Sequence, residues 1–272
     1  MKSIVISTDF SPAAKNAADY AAQLSKELEC SLILFHAWSL PALSAESLAV
    51  PVTIADLEES TLTALHEEAG RLKKLWGVHA IVKENAGFAA DEIGICVEEN
   101  HAELVVLGMS HRNKLGRVLG SVATSFLHKN QIATLIIPEQ INYSTPKTLL
   151  FATDLNTKQD WHEFDLLEQL ANHWHAGIHI LNAVQQEQEA EVSQSREGIR
   201  LEQRLKNIPH SWHFPNDGDV VHAISKTAKE ISADWIAVVP RVLPWFQQLF
   251  HHSVSNELTF NSDYPVLALP EK

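Results

Sequence analysis

The chain repeats itself. SIVISTDFS (Ser3–Ser11) returns as TLLFATDLN (Thr148–Asn156), and each is a short apolar run closed by Thr-Asp. The two aspartates, Asp9 and Asp154, stand 145 positions apart. The ends match as well. GSVATSFLHKNQIATLIIP (Gly120–Pro138) and HSVSNELTFNSDYPVLALP (His252–Pro270) both read Ser-Val, a helix-like stretch, then an apolar strand ending in proline, now at an offset of 132. A repeat this long is a domain-sized unit, so two copies of one fold in tandem are expected. The second copy is about 13 residues shorter between these anchors, and Ser39–Pro51, a Leu/Ala/Ser/Pro stretch confined to the first half, accounts for the difference.

Within each half, short apolar runs alternate with helical periodicity. The first half predicts strands at Ile4–Ser7, Leu32–Trp38, Val78–Lys83, Leu104–Leu107 and Thr134–Ile137. Between them fall helices at Pro12–Glu29, Ile54–Trp76, Ala89–Asn100 and Ser121–Lys129. Ser11 is placed to cap the first helix ahead of Pro12, and Gly77 to end the second. The second half predicts strands at Thr148–Ala152, Ile178–Val184, Ser211–Phe214, Trp235–Val239 and Val266–Leu269. Continuous apolar strands separated by helices imply a parallel sheet covered on both faces, and right-handed crossovers make it doubly wound. A polar linker, Glu139–Pro146, divides domains expected at residues 1–140 and 146–272.

A net charge of −13 without a basic stripe argues against nucleic acid or an anionic membrane as a partner. The run MKSIVISTDF is too short and interrupted for a signal peptide, no run is long enough to cross a bilayer, and a cytoplasmic location is expected. Cys30 and Cys96 form no CxxC motif and read as free thiols, and the sequon Asn142-Tyr143-Ser144 reads as chance.

Ligands of open parallel sheets sit at the carboxyl ends of the strands, where strand order reverses. Two segments point there: Thr8-Asp9, and the loop GMSHRNKLGRVLGS (Gly108–Ser121). Gly108 offers a ligand close approach to the backbone. Gly120-Ser121-Val122 opens a helix whose free N–H groups suit phosphate. Ser121 adds a hydroxyl, while His111, Arg112 and Lys114 add donors and positive charge. Asp9 can accept from an amino group or a hydroxyl, or cap the following helix.

Thr8-Asp9-Phe10-Ser11 followed by an alanine-rich helix, together with Val105–Pro138, resembles the universal stress proteins, and nearly the whole chain is similar to a tandem member of that family. The resemblance implies an adenine nucleotide alpha hydrolase-like fold in each half, strand order 3-2-1-4-5. It also implies a stress-response regulator binding ATP, with or without Mg, in the first half. ATP-binding members carry Gly-x2-Gly-x9-Gly-Ser/Thr. Here Gly108 and Gly120-Ser121 match the ends of that motif, His111 occupies the middle, and the loop is one residue shorter, as in some nucleotide-binding members. The resemblance places Asp9 and Ala37 beside adenine, with Gly108 near the ribose. Thr8 and Ser110 flank these positions, and His111, Arg112, Gly120, Ser121 and Val122 face the phosphates. It further implies an internal pseudo-dimer pairing Thr134–Ile137 with Val266–Leu269, with a homodimer as a further possibility.

The second half keeps Asp154 but little else. Its first-glycine position falls on Val239 or Pro240, and the last becomes His252, ahead of Ser253. Pro240 and Pro244 remove N–H donors, and Trp245, Phe246, Leu249 and Phe250 add bulk that can pack on the core or on a neighbour. No triphosphate site is expected there. Fifteen histidines raise a metal reading. However, His173, His175 and His179 span a helix end and a strand, His210 and His213 lie apart from them, and no spacing fits structural zinc. Gln185–Arg204 reads as a solvated helix face, and the tryptophans as packing residues. Enzymatic turnover is the alternative to regulation; it would be slow ATP hydrolysis or adenylyl chemistry, with His111 the only nearby base. A nucleotide-free scaffold is the third reading.

Overall fold

Strand β1 (Ser3–Ser7) is buried on both faces, and the chain leaves it through Thr8-Asp9 into helix α1 (Pro12–Glu27). This is a computed structural model that describes residues 1–39, 53–110, 121–153, 155, 164–182, 196–239 and 263–270. The Ser11 hydroxyl accepts the Ala14 N–H, and Pro12 follows at the first helical position. Such a cap is worth about 1 kcal/mol. The alanine-rich face (Ala14, Ala17, Ala18, Ala21) lies buried, letting the helix sit close to the sheet. The helix ends two residues before the expected Glu29, because Glu29 turns left-handed at φ 51°.

Next come β2 (Ser31–Trp38), α2 (Ile54–Trp76), β3 (Ala80–Ala86), α3 (Ala89–Asn100), β4 (Leu104–Met109), α4 (Ser121–Lys129) and β5 (Thr134–Pro138). Thr53 and Asp56 form a capping box on α2, and Gly77 closes it at φ 73°. β3 starts at Ala80 rather than Val78, since Gly77 and the two residues after it turn the chain back to the sheet edge. The second half runs through β6 (Thr148–Ala152), α5 (Asp165–Trp174), β7 (Gly177–Leu181), α6 (Arg196–Arg204), β8 (His210–His213), α7 (Val220–Glu230), β9 (Trp235–Val238) and β10 (Val266–Ala268). Of the expected strand Ile178–Val184, the last two residues lie outside the described residues. α6 is not wholly solvated: Leu201, and Leu205 just beyond the helix, are buried.

The strands form one sheet of ten in the order β3-β2-β1-β4-β5-β10-β9-β6-β7-β8. Each half therefore has the order 3-2-1-4-5, all parallel. The two expected five-stranded sheets fuse where β5 meets β10 antiparallel, with Leu135 opposite Leu267. Alternate strand residues feed two cores. Ile4 and Ile6 face the side that also buries Leu65, Leu167 and Leu201, while Val5 faces Ile93, Phe126 and Ile224 on the other. Helices thus cover both faces.

The seam is sealed beneath the sheet. Trp235 Nε1 donates to the buried Tyr20 hydroxyl at 2.7 Å, 215 positions away. Trp174 meets Trp235 edge-on at 5.1 Å, and Tyr143 of the linker meets Tyr20 edge-on at 5.0 Å. Thr145 and Tyr143 both donate to Glu27. Each half also fastens its first helix pair with an arginine. Arg71 of α2 reaches Asp19 of α1 at 2.8 Å, and Arg204 of α6 reaches Asp165 of α5 at 2.6 Å.

Candidate functional site

The turn after β1 is built by its own side chains. The Thr8 N–H donates to the Phe35 carbonyl at 2.9 Å, extending the β1–β2 ladder by one residue. Its buried hydroxyl accepts the Phe10 N–H at 2.9 Å, and this bond holds Phe10 at φ 61°. The Asp9 carboxylate accepts the Ser11 N–H at 3.0 Å. Asp9 therefore shapes the turn, whereas Ser11 caps the helix, and the Asp9 side chain remains exposed at the carboxyl end of β1.

A histidine not singled out in the sequence braces this turn. His36, the residue after the ladder partner Phe35, donates from Nδ1 to the Thr8 carbonyl at 2.6 Å and lies 4.9 Å from the Phe10 ring. Only the strand pairing brings it there. Ala37 follows on β2, half-buried and opposite Asn85 of β3.

Gly108 stands beside Thr8, because Ile6 pairs with Val106 and the register continues. Its lack of a side chain serves the fold first: a Cβ there would lie 2.5 Å from the Ala13 carbonyl oxygen and 2.9 Å from the Ala14 nitrogen. The first turn of α1 thus packs directly on β4, a contact that the ligand-approach reading of this glycine did not include. Ser110 is half-buried just beyond β4. His111, Arg112 and Gly120 lie outside the described residues. Ser121 and Val122 open α4, with Val122 exposed and Ala123 buried behind it. The structure therefore brings Thr8, Asp9, Ala37, Gly108 and Ser110 to adjoining strand ends at the point where the chain reverses strand order, the expected crevice of such a sheet.

The second half repeats the turn. Thr153 donates its N–H to the Leu181 carbonyl at 3.0 Å, and its hydroxyl accepts from Leu155 at 3.1 Å, with Leu155 at φ 54°. Asp154 lies outside the described residues, as do residues 240–262, which hold Pro240, Pro244, the aromatic loop, His252 and Ser253. The register settles the glycine position. Ala152 pairs with Val238, so Val239 stands beside Thr153, and its side chain is buried. Asn182 replaces His36 after Leu181. It is fully buried, and both carboxamide atoms are without a hydrogen-bond partner among the described residues.

Elsewhere, both cysteines are free, and burial pushes each thiol up to about 11, which keeps them protonated. No helix among the described residues is long and apolar enough to cross a membrane.

Ten strands in one mostly parallel sheet, with a crevice at the switch point between β1 and β4, define a doubly wound α/β protein. A model of the universal stress protein family matches residues 1–138, and the chain belongs to that family. No curated protein matches it. Among solved structures it is similar to a universal stress protein from Archaeoglobus fulgidus, with 18% identity, 98% of each chain covered and a TM-score of 0.76. Half-length matches include a universal stress protein in complex with cAMP, at 20% identity, covering 51% of this chain and 98% of that one, TM-score 0.39. Another is a family protein from Arabidopsis thaliana with AMP bound, at 15% identity, covering 51% and 92%, TM-score 0.36.

Proposed function

We propose that the chain is a tandem universal stress protein that binds an adenine nucleotide, ATP with Mg, in its first half. In this reading residues 1–140 form the binding domain, and residues 146–272 form a second domain of the same fold that has lost the site. The observation that carries it is the Thr8–Ser11 turn, which presents an exposed Asp9 carboxylate next to Gly108 at the switch point. A carboxylate there can accept from an amino or hydroxyl group of the ligand, while the start of α4 offers N–H groups to phosphate. Val239, and Asn182 with no side-chain partner among the described residues, favour a partner role for the second half. The β5–β10 seam supplies within one chain the pairing that the family resemblance assigns to a dimer. A regulatory role in the cytoplasm belongs to the same proposal and rests on the resemblance.

Calorimetric titration of the full chain with Mg-ATP tests the reading. One nucleotide per chain is expected, with binding lost in Gly120→Trp and weakened about tenfold or more, about 1.4 kcal/mol, in Asp9→Ala. No binding at about 1 mM nucleotide, or binding indifferent to both changes, would overturn it in favour of a nucleotide-free scaffold.

A further inference from the structure

The outer strand of the second half, β8, is fastened by histidines on both of its faces. On one face His179 of β7 stands opposite Ser211, and Leu181 opposite His213. Alternation along a strand puts His179, Ser211 and His213 together. His179 Nδ1 lies 2.9 Å from His213 Nε2, a hydrogen bond between the rings, and the Ser211 hydroxyl supports it at 2.8 Å and 3.2 Å from the two nitrogens. Such a bond needs a bare nitrogen on one ring as acceptor. It forms between two neutral rings and survives one added proton, but not two, because both facing nitrogens then carry hydrogens.

The other face carries His210 and Trp212. His210 Nδ1 lies 2.8 Å from the Ile208 carbonyl oxygen, and its Nε2 lies 3.0 Å from a carboxylate oxygen of Glu202 on α6. Trp212 Nε1 donates to the second oxygen of Glu202. Burial opposes the charge on Glu202, but the Trp212 and His210 donors outweigh it and hold the carboxyl below its ordinary range. A carbonyl and a carboxylate only accept, so both ring nitrogens donate and His210 is an imidazolium. Within one four-residue strand, then, one face needs a charged imidazole and the other a ring pair with at most one charge.

We propose that β8 is a pH-bounded clasp, fully closed only around neutrality: acid opens its side-chain bond to β7, and mild alkali its side-chain bond to α6. Burial holds both rings of the pair below the ordinary imidazole range, His213 adding to the effect on His179 and Glu230 of α7 opposing it at His213. Among the described residues, the charges acting on the pair are the rings themselves and Glu230. At His210 burial disfavours the charge, but the Ile208 carbonyl and Glu202 outweigh it and raise the ring above that range. The two effects run in opposite directions with pH. Rings held low contribute stability above the ordinary imidazole value and lose it as pH falls through their own lower values. A ring held high contributes stability below that value and loses it as pH rises through its own higher one. Opening on the acid side uncovers the edge of β7, a row of backbone groups free to pair.

Amide hydrogen exchange of the full chain from about pH 5 to about pH 8, corrected for intrinsic rates, tests the clasp. The opposite edge strand, β3, contains no histidine and serves as the internal reference. Protection of β8 relative to β3 is expected to peak near neutrality. On the acid side it should fall by up to about tenfold per pH unit, the limit for one proton taken up on opening. His213→Gln should abolish the acid fall and keep the alkaline one, and His210→Gln should do the reverse. Imidazole NMR titration of the unsubstituted chain gives a second reading: His179 and His213 should titrate in two linked steps below the ordinary imidazole value, and His210 above it. A β8 profile parallel to that of β3, an acid fall that persists in His213→Gln, or independent titration of His179 and His213 at the ordinary value would overturn the clasp.

Discussion

The turns after β1 and β6 share a backbone and differ in what surrounds it. Thr8 and Thr153 each extend a ladder through the N–H and hold a left-handed residue through the hydroxyl, at 2.9 Å and 3.1 Å. Around this frame, His36 gives way to Asn182 and Gly108 to Val239. His36 has a partner in the Thr8 carbonyl, whereas Asn182 has none among the described residues. The frame persists in both halves because it is how a doubly wound sheet leaves its first strand. Its surroundings diverge because only the first half keeps the glycine that lets the following helix lie on the neighbouring strand.

The largest test of the comparison is whether the halves can be separated at all. Trp235→Ala empties the seam and removes the donor to Tyr20, and should cost about 3–5 kcal/mol. Far-ultraviolet dichroism and the fluorescence of the remaining tryptophans should then unfold together at a lower temperature. Two separated transitions would make the halves independent. A smaller loss, about 1–3 kcal/mol, is expected for Gly108→Ala, since the new methyl meets backbone that cannot swing aside. An unchanged Tm would show that α1 can lift off β4.

Thr8→Ala and Thr153→Ala should each cost about 0.5–1.5 kcal/mol in chemical denaturation, and by similar amounts, because each removes the same single acceptor. Only the first should weaken nucleotide binding; equal weakening by both would erase the functional distinction between the halves. The smallest effects carry opposite signs. His36→Leu should destabilise by about 1 kcal/mol through loss of its bond to Thr8. Asn182→Leu should stabilise by a similar amount, about 1 kcal/mol, because an apolar side chain replaces a buried carboxamide with no partner among the described residues. A loss of stability in Asn182→Leu would mean that the carboxamide does find a partner.

Much of this was legible beforehand, for reasons that differ by element. Strands such as Leu104–Leu107 and helices such as Ile54–Trp76 announce themselves because burial imposes a local period. Ser11, Pro12, Thr53 and Gly77 mark helix ends by chemistry acting over three or four residues. The Thr-Asp turn was visible twice, since its hydrogen bonds span two residues. The choice between Val239 and Pro240 was not settled, because one position along a strand is decided by the register of its neighbour. His36 carried no local signal: its partner is the Thr8 carbonyl, 28 positions away. His179 and His213, 34 positions apart, fall in separate groups along the sequence, and only the pairing of β7 with β8 brings their rings together.

By itself, then, the sequence determined the alternation of elements and the Thr-Asp turns that end β1 and β6. These depend on periodicity and on side chains bonding to nearby backbone. The tertiary structure decided that two sheets become one, that Trp235 reaches Tyr20, that Gly108 serves α1, and that two imidazoles meet a hydroxyl at the sheet edge. Each of those contacts depends on strand order and register, which arise only when both faces of the whole sheet are buried at once.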